Sequence, residues 1–145
     1  MNNKYEWTTM VTMTDTLARI PYLVKGKSNE SEKVFTVLRG GLYDGGMLYI
    51  ITDKIGMALN PNEYKLLLQP MSSMTEEEQK EFDEFCVIDY DAWMENGIVG
   101  YKNQAEIMTK GVDWLNAHHF DYRGLIEMGL ALEAPEGLYT KNEMI

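Results

Sequence analysis

The sequence predicts an α+β fold: a small antiparallel sheet in the N-terminal half, with two to four helices in the C-terminal half packed on it. Short segments rich in β-branched and aromatic residues occupy the first half. Segments with helical spacing of apolar residues occupy the second half, and one begins with a capping sequence. At 145 residues the chain suits one domain, so we expect residues 1–145 to fold together, with 1–70 mainly β and 71–145 mainly α and acidic.

A β-hairpin is the clearest prediction in the first half. Residues 33–38 and 47–52 have the composition of strands, and Asp44-Gly45 between them favours the tight turn that joins two antiparallel strands. Residues 57–59 follow another turn and are predicted as a short third strand.

Two further elements are predicted beside this hairpin. Residues 21–25 have strand composition and begin with proline, which is tolerated in the first position of an edge strand. Residues 60–63 have the order of an N-cap, a proline and an acid, which predicts one helical turn before residues 66–68.

The strongest helix signal is a capping box at Thr75. Glu76, Glu77 and Glu78 follow it, so the third helical residue has the side chain that closes the box and the acids lie where the helix dipole favours them. The helix is predicted to run to about Phe85 or Cys86.

Two more helices are predicted farther along. Apolar residues keep helical spacing through residues 105–118, although Gly111 weakens the middle. A second, short helix is predicted over residues 123–130, and the Pro135-Glu136-Gly137 sequence is expected to end regular structure.

Charge and composition exclude several classes of protein. The formal net charge of −10 argues against nucleic-acid binding through a basic face. No run of about 18 apolar residues is present, which argues against a membrane span. The N-terminus lacks the apolar core of a secretory signal, and one cysteine, Cys86, suits a reducing compartment, so we expect a cytoplasmic protein. Neither phosphate-binding glycine motif occurs, and no cofactor is predicted.

The acidity belongs to the second half. Residues 1–70 hold 7 acidic and 8 basic side chains, whereas residues 71–145 hold 16 acidic and 5 basic ones. Such a tract imitates nucleic-acid phosphates and suits a basic groove on a partner protein, while a solvated face that keeps the protein soluble is the alternative. The candidate partner-binding residues are Glu76, Glu77, Glu78, Glu81, Asp83, Glu84, Asp89, Asp91, Trp93 and Glu95.

The segment around Asp89 resembles a calcium loop only at its start. Trp93 and Met94 occupy the fifth and sixth positions, and Gly100 stands where the bidentate acid belongs. A solvated connection anchored by Trp93 is therefore the simpler interpretation.

The segment with the residue types best suited to metal binding or catalysis contains His118, His119 and Asp121, with Glu127 nearby. Imidazole and carboxylate groups serve as metal ligands and as general acids and bases, so this set is the candidate for a metal site or a catalytic site. Adjacent helical residues point about 100° apart, which separates the two imidazoles on a helix. The alternative is structural, with Asp121 as a cap and a histidine at the end of the preceding helix.

Two segments carry a family resemblance. Residues 68–78, LQPMSSMTEEE, and residues 118–131, HHFDYRGLIEMGLA, resemble small uncharacterised proteins encoded by bacteriophages and mobile elements of gut anaerobic bacteria. The resemblance implies a phage accessory protein in a bacterial host cell, aimed at a host or defence component. The resemblance implies no catalytic residues.

The sequence thus leads to one functional expectation and two alternatives. We expect a non-enzymatic module whose acidic half binds a bacterial protein, such as a basic nucleic-acid-binding protein, without contacting nucleic acid or membrane itself. The first alternative is a small metal-dependent or acid/base enzyme centred on His118, His119 and Asp121. The second is a self-assembling module that forms homo-oligomers.

Overall fold

The computed structural model describes residues 7–43, 46–86 and 101–139. The short 3₁₀ turns Ile20–Tyr22 and Met71–Ser73 accompany the regular elements. The helices are α1 (Trp7–Arg19), α2 (Glu76–Cys86) and α3 (Tyr101–Ala117). The strands are β1 (Lys25–Ser28), β2 (Val34–Tyr43), β3 (Met47–Thr52), β4 (Ala58–Leu59), β5 (Tyr64–Leu68) and β6 (Ala131–Glu133).

The α+β class is confirmed, and the sheet has six strands in the order β4-β3-β2-β1-β5-β6. Neighbouring strands are antiparallel except β5 and β6, which are parallel. The expectation of a purely antiparallel sheet within the first half is therefore corrected. The chain leaves β5, passes through α2 and α3, and returns as β6, and such a long crossover permits parallel pairing.

The predicted hairpin is confirmed. Strand β2 pairs with β3 from Tyr43↔Met47 to Val37↔Thr52, with a bulge after Val37. Asp44-Gly45 itself lies outside the described residues. The short third strand is also present as β4, which pairs with β3.

Both longer helices predicted in the second half are confirmed. Helix α2 follows the capping box and ends at Cys86. Helix α3 covers the segment in which apolar residues keep helical spacing, and it begins at Tyr101, ahead of the predicted start at residue 105.

Helix α1 is not predicted from the sequence, whose first half favours mainly strands. Its sequence holds several β-branched threonines, which have modest helix propensity. Its buried side is largely polar, so the apolar spacing that marks a helix is weak there. The fold stabilises it through tertiary contacts, such as the hydrogen bond between the Thr16 and Tyr64 hydroxyls at 2.8 Å.

Three local predictions are wrong. In each case turns or side chains supply the backbone hydrogen bonds in a pattern other than the predicted strand or helix. Residues 21–25 do not form an edge strand, because only Lys25 belongs to a strand, and that strand, β1, lies between β2 and β5. Residues 60–63 form a turn in which the Glu63 carboxylate accepts the Asn60 N–H, and β5 follows directly. Residues 123–130 form consecutive turns instead of a helix.

The main core lies between α1 and one face of the sheet. Gly26 makes room for it, because a Cβ there would stand 2.8 Å from Cζ of Phe35. The Phe35 ring packs edge-on against Tyr64 at a centroid distance of 6.0 Å. The other fully buried apolar side chains of this core include Met13, Val24, Val37, Ile50, Leu66, Leu68 and Leu125.

A second, smaller core joins α2 to α3. Trp114, Leu115 and Phe120 are buried there, with Phe82 and Met74 packed against them. In the described part of the chain, no helix has both the length and the apolar character needed to cross a membrane.

Candidate partner-binding groove

The capping box that opens α2 is present. The Thr75 N–H donates to Oε1 of Glu78 at 3.0 Å, and the Glu78 N–H donates to Oγ1 of Thr75 at 3.1 Å. Two otherwise unsatisfied N–H groups are thereby paired, and the helix starts with three consecutive glutamates. The sequence alone predicts this arrangement because all of its parts lie within four residues.

Helix α2 lies on the surface of the molecule. It contacts α3 through Phe82, whose ring meets Trp114 at a centroid distance of 5.2 Å, and none of its residues is buried. Asp89, Asp91, Trp93 and Glu95 lie outside the described residues. The remaining candidate acids are Glu78, which is half-buried, and Glu76, Glu77, Glu81, Asp83 and Glu84, which are exposed.

An acidic groove of about 590 Å³ runs between α2 and the end of β5. Tyr139 forms part of its wall. The remaining lining residues are Gln69, Thr75, Glu77, Glu78, Glu81 and His118. The groove therefore brings together the acidic tract and one of the two histidines, which are separate candidates in the sequence.

The segment that carries His118 is fixed against the end of β5. The Gln69 N–H donates to the His119 carbonyl oxygen and the Asp121 N–H donates to the Gln69 carbonyl oxygen, both at 2.8 Å. The Gln69 side-chain amide also donates to the His118 carbonyl oxygen at 2.6 Å. Gln69 thus aligns the loop that follows α3 with the sheet.

His118 and Glu81 face each other in the groove. Nε2 of His118 lies 3.6 Å from Oε1 of Glu81, and the Trp114 indole N–H donates to the same oxygen at 3.3 Å. Nδ1 of His118 lies 2.9 Å from the Trp114 carbonyl oxygen, so Nδ1 carries the hydrogen and donates. The imidazole also stacks on the Trp114 ring at 3.8 Å. The side chain is held in place, with Nε2 directed at a carboxylate.

His119 has a different environment. Its side chain is fully buried, stacks on Tyr139 at 3.6 Å, and has no hydrogen-bond partner for either ring nitrogen in the described part of the chain. Burial, and next the positive charge of Arg19, lowers its pKa to about 3. The imidazole is therefore neutral at physiological pH, and Tyr139 lies between it and the groove.

Asp121 and Glu127 do not join the histidines. The two carboxylate oxygens of Asp121 accept the N–H groups of Leu125 and Ile126, each at 2.9 Å, so Asp121 caps the turns that follow. Glu127 is exposed on those turns. Within residues 7–43, 46–86 and 101–139, no group of three or more His, Cys, Asp or Glu side chains is placed to hold a metal ion.

A largely buried charge network around Asp15 is absent from the sequence predictions. The Asp15 carboxylate accepts the Arg19 Nε–H at 2.9 Å and the Arg123 Nε–H at 3.0 Å. Arg19, also fully buried, donates to the Phe120 carbonyl oxygen at 2.6 Å. The spacing of Asp15 and Arg19 by four residues signals a helical ion pair. No local signal could connect them to Arg123.

Cys86, at the end of α2, is half-buried against the helix interface. A Cβ on Gly111 would lie 3.5 Å from its sulfur. Burial, and secondly the negative charge of Asp83, raises the pKa of the thiol. The group is consequently a weak nucleophile at neutral pH.

Comparisons with protein-family models, with curated proteins and with solved structures give no match for this chain.

Proposed function

We propose that this protein is a non-enzymatic binding module that takes a basic segment of a partner protein in its acidic groove. The observation that carries the proposal is the convergence of Glu77, Glu78 and Glu81 on one groove of about 590 Å³. Pockets of this size hold compact ligands, so a lysine or arginine side chain with its flanking backbone suits the space. The carboxylates supply acceptors for charge-assisted hydrogen bonds.

The acids outside the groove have a different part in the proposal. Glu76, Asp83 and Glu84 are exposed on α2 and lie within a few helical turns of the groove. Charges of one sign on one surface accelerate the encounter with a partner of opposite sign, and salt screens that effect. Binding should therefore be fast at low salt and weaken as salt is added.

The partner class follows from the same chemistry. Proteins that bind nucleic acids have surface sites with clustered lysine and arginine side chains. An acidic helix can bind at such a site in place of the nucleic acid. The resemblance to phage and mobile-element proteins stays a prediction, and with it we place the module in the bacterial cytoplasm, where it engages or inhibits a host or defence protein.

The second candidate function is acid/base chemistry in the same groove. It is favoured by one contact, the 3.6 Å approach of His118 Nε2 to the Glu81 carboxylate. The wider set of His118, His119 and Asp121 does not converge on the groove, which weakens this alternative. Loss of partner binding in His118→Ala would not separate the two functions, whereas retained binding in that variant would favour the module.

The test compares two variants with the same charge change. One carries Glu77→Gln, Glu78→Gln and Glu81→Gln, and the glutamine that replaces Glu78 can still close the capping box. The matched control carries Asp113→Asn, Glu133→Gln and Glu136→Gln, which are exposed acids elsewhere. Each is used to capture proteins from nuclease-treated bacterial lysate, and is titrated with a lysine- and arginine-rich peptide by calorimetry.

We expect the parent and the control to bind the peptide at low salt, and the groove variant to bind at least about tenfold more weakly. We also expect the parent and the control to retain the same basic protein from lysate. Equal losses in both variants would mean that net charge alone attracts the peptide. No binding by the parent at low salt would refute the proposed function.

A further inference from the structure

The outer face of the sheet, opposite the main core, carries a row of basic side chains. Lys27 on β1 stands directly across from Lys65 on β5, and Lys25 lies two residues along β1 on the same face. Gly26 and Leu66, which alternate with them, face the core. We call Lys25, Lys27 and Lys65 the basic row.

The pairing of Lys27 with Lys65 is unfavourable in the isolated molecule. Residues directly opposite each other in an antiparallel pair have Cβ atoms about 5 Å apart, and like charges at that distance destabilise a sheet. In the described part of the chain none of the three lysines forms an ion pair, and Nζ of Lys25 donates only to the Thr36 hydroxyl. A negatively charged group between these lysines would remove the repulsion.

An apolar groove of about 430 Å³ adjoins the basic row at the β3–β4 side. Leu38, Ile51, Ile55 and Met57 line it, and the Ile55 side chain is fully exposed at the turn between the strands. Exposed apolar side chains gathered beside a charged row are typical of an interaction surface.

We propose that this outer sheet face binds helix α2 of a second copy of the protein. Glu77, Glu81 and Phe85 follow one another at intervals of four residues, so they share one side of α2. Phe85 is 48% exposed. A helix thus presents carboxylates followed by an exposed aromatic ring, and the sheet face presents ammonium groups followed by an apolar groove.

The spacings of the two surfaces agree. Glu77 and Glu81 are about 6 Å apart along a helix, and Lys25 and Lys27 about 6.7 Å apart along a strand. Phe85 lies about 12 Å beyond Glu77 along the helix. The distance from β1 to β3 and β4, at about 4.8 Å per strand, is about 10 to 14 Å. A helix that crosses the strands diagonally therefore places Glu77 near the Lys27–Lys65 pair, Glu81 near Lys25 and Phe85 at the apolar groove.

The apolar groove beside the basic row favours α2 over the sugar-phosphate backbone of a nucleic acid. Helix α2 joins its acids to the exposed Phe85 side chain, which suits that groove. Asp53 lies at the border of the apolar groove, where its Oδ1 accepts the Thr36 N–H and Lys54 adjoins it. Glu84 of the second copy would meet Lys54 there.

Because the helix of one copy contacts the sheet of the next, each contact joins two different surfaces. Such a contact is made twice in a two-fold dimer, or once per copy along a ring or an open chain. The weight-average molecular mass should consequently rise with protein concentration at low salt and fall to that of the monomer at high salt.

The experiment is a charge-swap complementation followed by sedimentation. One variant carries Lys27→Glu and Lys65→Glu, which keeps the cross-strand pair like-charged. The other carries Glu77→Lys and Glu81→Lys, the two positions that meet the basic row. Each should sediment as a monomer at low salt, and an equimolar mixture should associate again, because the altered helix then fits the altered sheet. The control Lys110→Glu, at an exposed position on α3, should associate like the parent.

Several results would overturn the proposal. These are a parent that is monomeric at every concentration at low salt, variants that still associate, or a mixture that does not recover association. Binding of a single-stranded oligonucleotide by the parent, lost on Lys27→Glu and Lys65→Glu, would assign the face to nucleic acid instead. The sheet variant retains the acidic groove, so its binding of the basic peptide reports on the proposed function separately.

Discussion

The His119 side chain packs inside the loop after α3, and its burial makes it unsuited to acid/base chemistry. Its backbone has a positive φ of 61°, a conformation in which histidine is more frequent than most residues. Its ring is buried on Tyr139, whose hydroxyl accepts the Lys25 N–H at 2.8 Å and donates to the Leu67 carbonyl oxygen at 2.6 Å. This stack connects the loop after α3 to the paired strands β1 and β5.

The buried imidazole makes stability depend on pH. The unfolded histidine has a pKa of about 6.5, and the folded one a pKa of about 3, so below about pH 6.5 the unfolded chain binds a proton that the folded chain does not. The free energy of unfolding should therefore fall by up to about 1.4 kcal/mol per pH unit as the pH drops from about 6.5 toward 3. Above that window His119 contributes no pH dependence.

The variant His119→Phe tests this directly, since it keeps a stacking ring and removes the titrating group. Between pH 7 and pH 5 the parent should lose about 2 kcal/mol more than the variant in urea unfolding. Other groups titrate in both proteins and cancel in the difference. Parallel curves for the two proteins would show that the folded state accepts the proton on His119.

At the scale of single elements, the predictions that succeed depend on neighbours in sequence. The capping box at Thr75 and the β2–β3 hairpin each depend on residues close together in sequence, and both are confirmed. Helix α1 escapes prediction because its inward side includes Thr12, Asp15 and Arg19, and the partners of the two charged residues include groups far along the chain. The glutamates that line the groove could be named as candidates from the sequence. That Gln69 and Tyr139 line the same groove could not be predicted, because they lie far from those glutamates or in another element.

Gly111 and Gly26 test packing at this scale, because the same change should have opposite effects. Gly111→Ala should stabilise the protein by about 0.5 to 1 kcal/mol, since alanine favours a helix and its Cβ would make ordinary contacts with Cys86 and Phe82. Gly26→Ala should destabilise it by about 1 to 3 kcal/mol, because its Cβ would overlap Phe35. Thermal unfolding monitored by circular dichroism measures both. Destabilisation by Gly111→Ala would show that the α2–α3 contact is tighter than described.

For the whole molecule, the two halves of the sequence share one structure. Strand β6 pairs with β5, the buried Arg19 donates to the Phe120 carbonyl oxygen, and Leu125 lies in the core beneath the sheet. The division of the sequence at residue 70 into a β part and an α part therefore does not correspond to a division of the core.

A fragment of residues 1–70 should consequently fail to fold alone. It would expose the core surface that Leu125 and Ala131 cover and leave Arg19 without its carbonyl partner. We expect no cooperative thermal transition by circular dichroism, and the full chain as control should show one. A sigmoidal transition in the fragment would mean that the sheet and α1 form an autonomous unit.

The position of Trp114 gives the protein a built-in optical reporter. Its indole is 3% exposed, stacks on His118 and donates to the Glu81 carboxylate, so it shares two contacts with the acidic groove. A cation that draws Glu81 away would remove the hydrogen bond of the indole and alter its electrostatic surroundings. Occupancy of the groove should thus change the emission of this tryptophan, and binding can be followed without any attached dye.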